Sequence, residues 1–128
     1  MNPKKAYLLD LGFASLGAPF SENRGKMLEN IVAVELFRRR KETFYFKQRH
    51  ECDFVVKSGT RLVEAIQVCW EIGDSSRQRE LRGLAEALRT LKLRRAFVLT
   101  YNQEMQLKVE GRTVAVTPVW KWLLSGQE

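Results

Sequence analysis

Residues 51–70 constrain the fold more than any other stretch of the chain. Two segments rich in β-branched and apolar residues, 51–57 and 61–70, flank the turn-forming sequence Ser58-Gly59-Thr60. This pattern is typical of a β-hairpin. Burying a carboxylate is costly unless it has a partner, so Asp53, within the first apolar arm, is a candidate functional residue.

The length of the hairpin loop decides which residue lies beside Asp53. A two-residue loop at Ser58-Gly59 places Asp53 opposite Glu64, whereas a five-residue loop over 58–62 places it opposite Gln67. We favour the second register because it sends the aromatic and aliphatic residues to one face as a block. It predicts two faces, one with Asp53, Val55, Ala65, Gln67 and Cys69 and the other with Cys52, Phe54, Ile66, Val68 and Trp70. Cys52 and Cys69 would then lie on opposite faces and could not form a disulfide.

The polar members of the first face resemble a known catalytic pattern. PD-(D/E)XK nucleases place an Asp on one strand and a Glu-x-Lys triplet one hairpin later, where two carboxylates hold Mg²⁺ and the lysine stabilises developing charge. Here the triplet reads Gln67-Val68-Cys69. An amide replaces the second carboxylate and a thiol replaces the ammonium. The loss of the cation argues against efficient cleavage, so whether the chain is an enzyme is left open.

The resemblance extends over nearly the whole chain. Segments 25–32, 51–56, 66–69, 79–81, 99–101 and 117–124 resemble, in that order, the C-terminal domain of archaeal-type AAA+ ATPases, which is nuclease-like in fold and poorly characterised in function. The resemblance implies an α/β, restriction-endonuclease-like (PD-(D/E)XK) core, with a central mixed sheet flanked by helices, as a single domain over residues 1–128. The ATPase module would precede residue 1, and the chain contains no Gly-x-x-x-x-Gly-Lys-Ser/Thr loop of its own.

The same resemblance assigns the site. Glu29 matches the family's helix acid, Asp53 the strand acid, and Gln67 and Cys69 the triplet positions. Glu29 and Asp53 would be the metal ligands, with Mg²⁺ as the cofactor if the domain is active and none otherwise. Read from the residues alone, Glu29 lies on a largely apolar helix over 26–39 and needs a partner, either a metal, an arginine or backbone donors, or simply Lys26 one turn away.

Hydrophobic periodicity and turn residues predict the remaining elements. We expect short strands at 5–9 and 42–47, a second amphipathic helix at 76–92, a central strand at 96–101 and a second hairpin from 105–109 and 113–116. A short helix or turn follows Pro118. Its tryptophans, Trp120 and Trp122, cap the core or provide a base-stacking surface.

A net charge of +7 and an isoelectric point near 9.7 are compatible with a nucleic-acid partner. The candidate contacts are Arg38, Arg39, Arg40, Lys41, Arg77 and Arg79. The first four also suit the negative end of a helix dipole, and Arg77 and Arg79 also suit ion pairs with Asp74 or Glu80. Two cysteines indicate a reducing compartment, and no apolar run is long enough to span a bilayer, so we expect a cytoplasmic protein without a membrane partner.

The sequence leaves two functions open. The favoured one is a nuclease-like domain with a degenerate triplet that binds nucleic acid or docks a partner protein in association with an AAA+ ATPase. The alternative is an active Mg²⁺-dependent nuclease that cleaves phosphodiester bonds. The oligomeric state is left open as well.

Overall fold

A mixed β-sheet with helices on both faces organises residues 20–125, the part of the chain that the computed structural model describes. The elements are α1 (Phe20–Arg38), β1 (Glu42–Lys47), β2 (Glu51–Ser58), β3 (Arg61–Val68), α2 (Arg77–Glu80), α3 (Arg82–Leu91), β4 (Arg95–Thr100), β5 (Met105–Val109), β6 (Arg112–Pro118) and α4 (Val119–Leu124). The six strands lie in the order β1-β2-β3-β4-β6-β5. The predicted mixed sheet flanked by helices is confirmed, and the strand predicted at 5–9 lies outside the described residues.

The parallel part of the sheet fixes where the chain can build a site. Strands β3, β4 and β6 run parallel to one another, whereas β1, β2 and β5 pair antiparallel with their neighbours. The carboxyl ends of β3, β4 and β6 therefore meet at one edge of the sheet, beside the start of β2. Strand β4 lies inside the sheet, as its continuous apolar sequence predicts.

None of the helices between residues 20 and 125 is long and apolar enough to cross a membrane.

The β2–β3 hairpin has the strand register favoured from the sequence, but the predicted five-residue loop is wrong. Phe54 pairs with Ile66 and Val55 with Ala65, which is the register favoured from the sequence. The tip is nevertheless shorter than five residues, because Ser58 pairs with Arg61 and leaves only Gly59-Thr60 as the loop. Gly59 adopts φ +65°, a conformation that glycine takes without steric cost. An irregularity between Val56 and Lys57 absorbs the difference between the tight tip and the register of the strands.

A β-bulge on the other side of β2 alters the predicted faces. Phe44 of β1 pairs with Val55, but Phe46 pairs with Cys52, so Asp53 and Phe54 together face the single residue Tyr45. An extra residue reverses the alternation of side chains beyond it. Cys52 consequently packs in the same cluster as Val55, and Cys69 packs against that cluster. The prediction that Cys52 lies on the face opposite Cys69 is wrong for this reason, although both thiols are free, as expected.

Each face of the sheet has its own core. On one face Val55, Ala65 and Val98 pack beneath Leu84 and Leu88 of α3. On the other face a second cluster joins α1 and α4 to the sheet, formed by Leu28, Val32, Ala33, Leu36, Phe54, Val56, Ile66, Val68, Leu99, Val119 and Trp122. The predicted helix over 76–92 is divided into α2 and α3 at Leu81, whose side chain is buried in the first cluster.

Helix α3 lies unusually close to the backbone at the start of β2. A Cβ added to Gly83 would be 1.6 Å from the Glu51 carbonyl oxygen, so only glycine fits at this crossing. One turn later the buried carboxylate of Glu86 accepts a hydrogen bond of 2.7 Å from the His50 backbone N–H. These two contacts hold the amino-terminal end of β2, and with it Asp53, against α3.

Candidate functional site

The Asp53 carboxylate lies between β2 and β3 at the point where their regular pairing ends. Its Oδ2 accepts a hydrogen bond of 2.8 Å from the Val68 N–H, which belongs to the peptide that joins Gln67 to Val68. The last regular pair is Phe54 with Ile66. The bulge thus turns Asp53 toward β3, where its side chain takes the place of a backbone acceptor. Bulges of this kind often re-aim a side chain beside an active site.

Gln67 and Cys69 complete the polar group that the sequence predicted at the end of β3. Gln67 follows Ala65 by two residues and therefore shares the face that α3 covers. Its Oε1 is buried, with no hydrogen-bond partner among the described residues. Unsatisfied buried acceptors are rare, and each one calls for an explanation such as an ion or a water molecule.

Glu80 of α2 is a further acidic residue at this site, and it is not among the site residues predicted from the sequence. Burial is the main reason why the pKa of the Cys69 thiol rises to about 12, and the negative charges of Glu80 and then Asp53 raise it further. Both carboxylates therefore act on Cys69. Glu80 also lies 3.4 Å from the Gly73 N–H, in the loop that leaves β3. At neutral pH Cys69 is a neutral thiol, and it supplies neither a nucleophilic thiolate nor a positive charge.

Glu29 is half-buried on α1, and the residues one turn further, Val32 and Ala33, pack in the core between α1 and the sheet. That core lies on the face opposite Cys69. The convergence of Glu29 with Asp53 as two metal ligands stays a prediction. Within residues 20–125 no group of three or more histidine, cysteine, aspartate or glutamate side chains is arranged to hold a metal ion.

Two of the four basic residues at the carboxyl end of α1 stabilise that helix and its contact with α4. Arg38 and Arg39 both donate to Glu35, at 2.7–2.9 Å. These hydrogen bonds lower the pKa of the Glu35 carboxyl to about 2. The Arg39 side chain also donates to the Trp122 carbonyl at 3.0 Å and lies over the Trp122 ring, so it joins α1 to α4.

Residues 38–41 also lie far from the Asp53 site. Glu42, the next residue, pairs with Lys57 at the far end of β2. Asp53 and Lys57 are four residues apart, a separation of roughly 13 Å at the usual rise of a strand. Arg40 and Lys41 are exposed at that far end. At the near end, Arg77 lies 3.7 Å from Asp74, the ion pair that the sequence offered as an alternative to a phosphate contact, and Arg79 is exposed.

Comparison with known proteins identifies the family but no activity. Residues 24–122 match a family model described as "Domain of unknown function (DUF4143)". The chain belongs to this family. It is also 33% identical, over 132 aligned positions, to "Uncharacterized protein MJ1544" of Methanocaldococcus jannaschii. That alignment covers 94% of this chain and 29% of the relative, so the chain spans less than a third of the relative's length. No solved structure matches the chain.

The DUF4143 domain also carries aromatic residues at the carboxyl edge of its parallel strands. Trp70 and Tyr101, which follow β3 and β4, stack with ring centroids 4.2 Å apart, and the Arg24 guanidinium lies over Trp70. Trp122 is core, as the capping interpretation expects, but Trp120 is half-exposed and donates to Asn102.

The two loops that carry this stack are tied together by a glutamine side chain. The Gln103 amide accepts from the Ile72 N–H at 2.6 Å and donates to the Ile72 carbonyl at 2.9 Å. The Thr100 hydroxyl in turn donates to the Gln103 carbonyl and accepts from the Gln103 N–H. These hydrogen bonds therefore hold the loop after β3, which follows Cys69, against the loop after β4.

Glu80 could have been found from the sequence. It precedes Leu84 by four residues, so it lies on the same face of the helical segment as the leucines that pack on the sheet. A carboxylate on the sheet-facing side of a helix, just after the loop that leaves the candidate triplet, is the signal that selects it.

Proposed function

We propose that this DUF4143 domain is a nuclease-like, PD-(D/E)XK-type module with a degenerate catalytic triplet, that it binds nucleic acid, and that it works in association with an AAA+ ATPase. The observation that carries this proposal is the state of Cys69. It occupies the position that the resemblance gives to the catalytic lysine, and it is a partly buried neutral thiol beside two carboxylates.

A positive group at that position stabilises the negative charge that develops during phosphodiester cleavage. Removing one such contact to developing charge costs roughly 3 to 4 kcal/mol in other enzymes, which is a rate loss of about 10²–10³. In this domain the loss is compounded, because Glu80 and Asp53 add negative charge near a substrate that is itself anionic. Weak or absent cleavage, with binding retained elsewhere on a basic surface, is the function that these charges favour.

Net charge and the length of the relative support the remaining parts of the proposal. A charge of +7 on a chain of this size attracts polyanions and releases counterions when it binds them. The match to less than a third of MJ1544 is compatible with a module that works within a longer protein. The AAA+ association itself rests on the sequence resemblance alone.

The test measures binding and cleavage in the same samples. Labelled single- and double-stranded DNA and RNA are incubated with the domain in Mg²⁺, in Mn²⁺ and in chelator, across a salt series. We expect binding that weakens steeply with salt and no metal-dependent cleavage. Absence of both binding and cleavage at every salt concentration would reject nucleic-acid binding in favour of a protein-docking role.

A metal-dependent nuclease is the second candidate, and the buried Oε1 of Gln67 favours it. That oxygen and the Asp53 carboxylate are hard ligands of the type that suits Mg²⁺, which usually completes its coordination with water and substrate phosphate. If bound, the ion would polarise the scissile phosphate and activate water. Asp53 and Gln67 are the residues that would hold it, with Glu29 as the third ligand predicted from the sequence.

The substitution Asp53→Asn distinguishes the nuclease from the non-cleaving binding module, and it disturbs the structure less than Asp53→Ala would. The amide oxygen of asparagine can still accept the Val68 N–H, so the hairpin is preserved while the charge is lost. Metal-dependent cleavage by the unmodified domain that disappears in Asp53→Asn would establish the nuclease. Under the favoured proposal neither protein cleaves, and the double substitution Gln67→Glu with Cys69→Lys, which restores the missing charges, raises cleavage above the baseline.

A further inference from the structure

We propose that the nucleic-acid backbone is held by a basic groove between the α2–α3 segment and edge strand β5, rather than by the arginine-rich end of α1. This inference rests on the proposed function and specifies the surface through which it acts. The groove has a volume of about 400 Å³, and its polar lining includes Arg77, Gln78, Arg82, Lys108 and Glu110. Leu81 and Val109, both largely buried, form apolar parts of its wall.

Helical spacing aligns the cations of this groove. Arg82 and Arg89 are seven residues apart on α3 and both are exposed, so they form a positive stripe on the outer face of that helix. They are separated along the axis by about 10.5 Å. The stripe therefore extends the positive surface of the groove along α3.

The charges along the stripe leave a positive excess. Arg89 pairs with Glu110 at 2.9 Å, and Arg77 pairs with the fully exposed Asp74 only at 3.7 Å. Arg82 is exposed, and no ion pair or hydrogen bond of its side chain occurs within the described residues. The Lys108 ammonium bonds only the neutral Thr113 hydroxyl. The acids are thus outnumbered, and Arg82 is the side chain best placed to bind a phosphate.

The arginine-rich end of α1 lines a larger cavity, of about 740 Å³, but two of its four cations are already paired with an acid. Arg38 and Arg39 are already hydrogen-bonded to Glu35, and Arg39 is largely buried against Trp122. By contrast, α2 contributes Arg77 to the groove and Glu80, one turn later, to the degenerate site. The α2 end of the groove therefore lies within one turn of Glu80, whereas Lys108 and Val109 pair with the beginning of β6, at the end of the sheet away from Cys69.

Two double substitutions of equal charge distinguish the surfaces. Arg77→Gln with Arg82→Gln removes two positive charges from the groove, and Arg40→Gln with Lys41→Gln removes two from the end of α1. All four residues are exposed, so both variants should unfold at the temperature of the unmodified domain. Binding of labelled single-stranded and duplex DNA is measured by fluorescence anisotropy across a salt series.

The groove variant should bind roughly tenfold more weakly at physiological salt, and the slope of log affinity against log salt should fall by about 1.4 to 1.8. The α1 variant should change affinity by less than about threefold, the smaller effect of charges remote from the ligand. Glu110→Gln, which removes an acid from the groove, should strengthen binding.

The outcomes separate this inference from the proposed function. If the unmodified domain binds DNA and the α1 variant loses as much affinity as the groove variant, or more, the groove is not the binding surface and nucleic-acid binding still stands. An unchanged affinity in the groove variant would likewise show that the groove is not the binding surface, without rejecting nucleic-acid binding. If the unmodified domain binds neither DNA form at low salt, nor RNA in the assay of the proposed function, the proposed function and the groove fail together.

Discussion

Gly83→Ala should destabilise the domain sharply, because α3 lies directly on the backbone of β2 at this residue. The added methyl would be 1.6 Å from the Glu51 carbonyl oxygen and 2.4 Å from its carbonyl carbon. Both atoms belong to the backbone of a paired strand, so a change of side-chain rotamer cannot relieve the overlap. Either α3 moves outward or the start of β2 moves away from it.

The size of the effect follows from the movement required. Ordinary van der Waals contact begins near 3.4 Å, so α3 and β2 must separate by about 1.8 Å. A gap of about half that size already removes up to half of the dispersion energy between the atoms that face it. Leu84, Ala87 and Leu88 of α3 are almost completely buried at this interface. We expect a loss of about 3 kcal/mol or more in the free energy of unfolding, comparable to a large deletion in a core. The melting temperature should fall by roughly 10 °C.

Gly25→Ala provides the matched control. Gly25 also lies within a helix, but a Cβ added there would meet nothing within 4 Å. Alanine should therefore stabilise α1 by about 0.5–1 kcal/mol through its helix propensity. Chemical denaturation of the two variants measures both values. A Gly83→Ala variant within about 0.5 kcal/mol of the unmodified domain would refute the close approach of α3 to β2, since that is the range of substitutions at surface positions.

Three further predictions concern buried or charged groups. The pKa of Glu35 is lowered to about 2 from 4.5, so its contribution to stability is present above pH 4.5 and is lost as the pH falls through 2. The Glu35→Gln variant should therefore have a free energy of unfolding about 1 kcal/mol lower than the unmodified domain near neutral pH, and that free energy should fall less on acidification. Urea titrations that show the same loss of stability at low pH in both proteins would contradict this. Asn30 is fully buried, and neither amide atom is hydrogen-bonded within the described residues. Asn30→Leu should therefore raise the free energy of unfolding by about 1 to 3 kcal/mol. A free energy of unfolding below that of the unmodified domain would show that the amide has a partner. Cys69, whose thiol pKa is about 12, should react slowly with iodoacetamide at pH 8. Glu80→Gln should accelerate the alkylation of Cys69, because it removes a negative charge that raises the pKa of the thiol. If peptide mass spectrometry finds the same rate of Cys69 alkylation in both proteins, Glu80 does not act on Cys69.

Local sequence patterns were sufficient to predict the elements of the fold and the register of its central hairpin. Placing Phe54, Ile66 and Val68 together on one face selects the register in which Phe54 pairs with Ile66, and that register is observed. The bulge at Asp53 and Phe54 was not predictable from the hairpin, because it depends on how Tyr45 and its neighbours on β1 pair with the opposite side of β2. For this reason the face of Cys52 was predicted incorrectly while that of Val55 was correct.

The candidate site shows the same division between local and tertiary information. Asp53, Gln67 and Cys69 were grouped from strand periodicity, and the charge of Asp53 does act on the Cys69 thiol, whereas the place of Gln67 in the group stays a prediction. Helical spacing places Glu80 on the sheet-facing side of its segment, but its position beside Cys69 also depends on the path of the loop that leads from β3 into α2. The need for glycine at position 83 likewise arises from a distance between two elements, so it appears only once the helix is placed on the strand.

The Gln103 side chain has a consequence for how this family can vary. By donating to and accepting from Ile72, its amide does what the backbone of an adjacent strand would do, and it thereby ties the loop after β4 to the loop after β3. An insertion or deletion in either loop would move one partner out of reach of the other. Relatives that keep a glutamine here should therefore keep both loop lengths, and relatives in which one loop has changed length should have lost the glutamine.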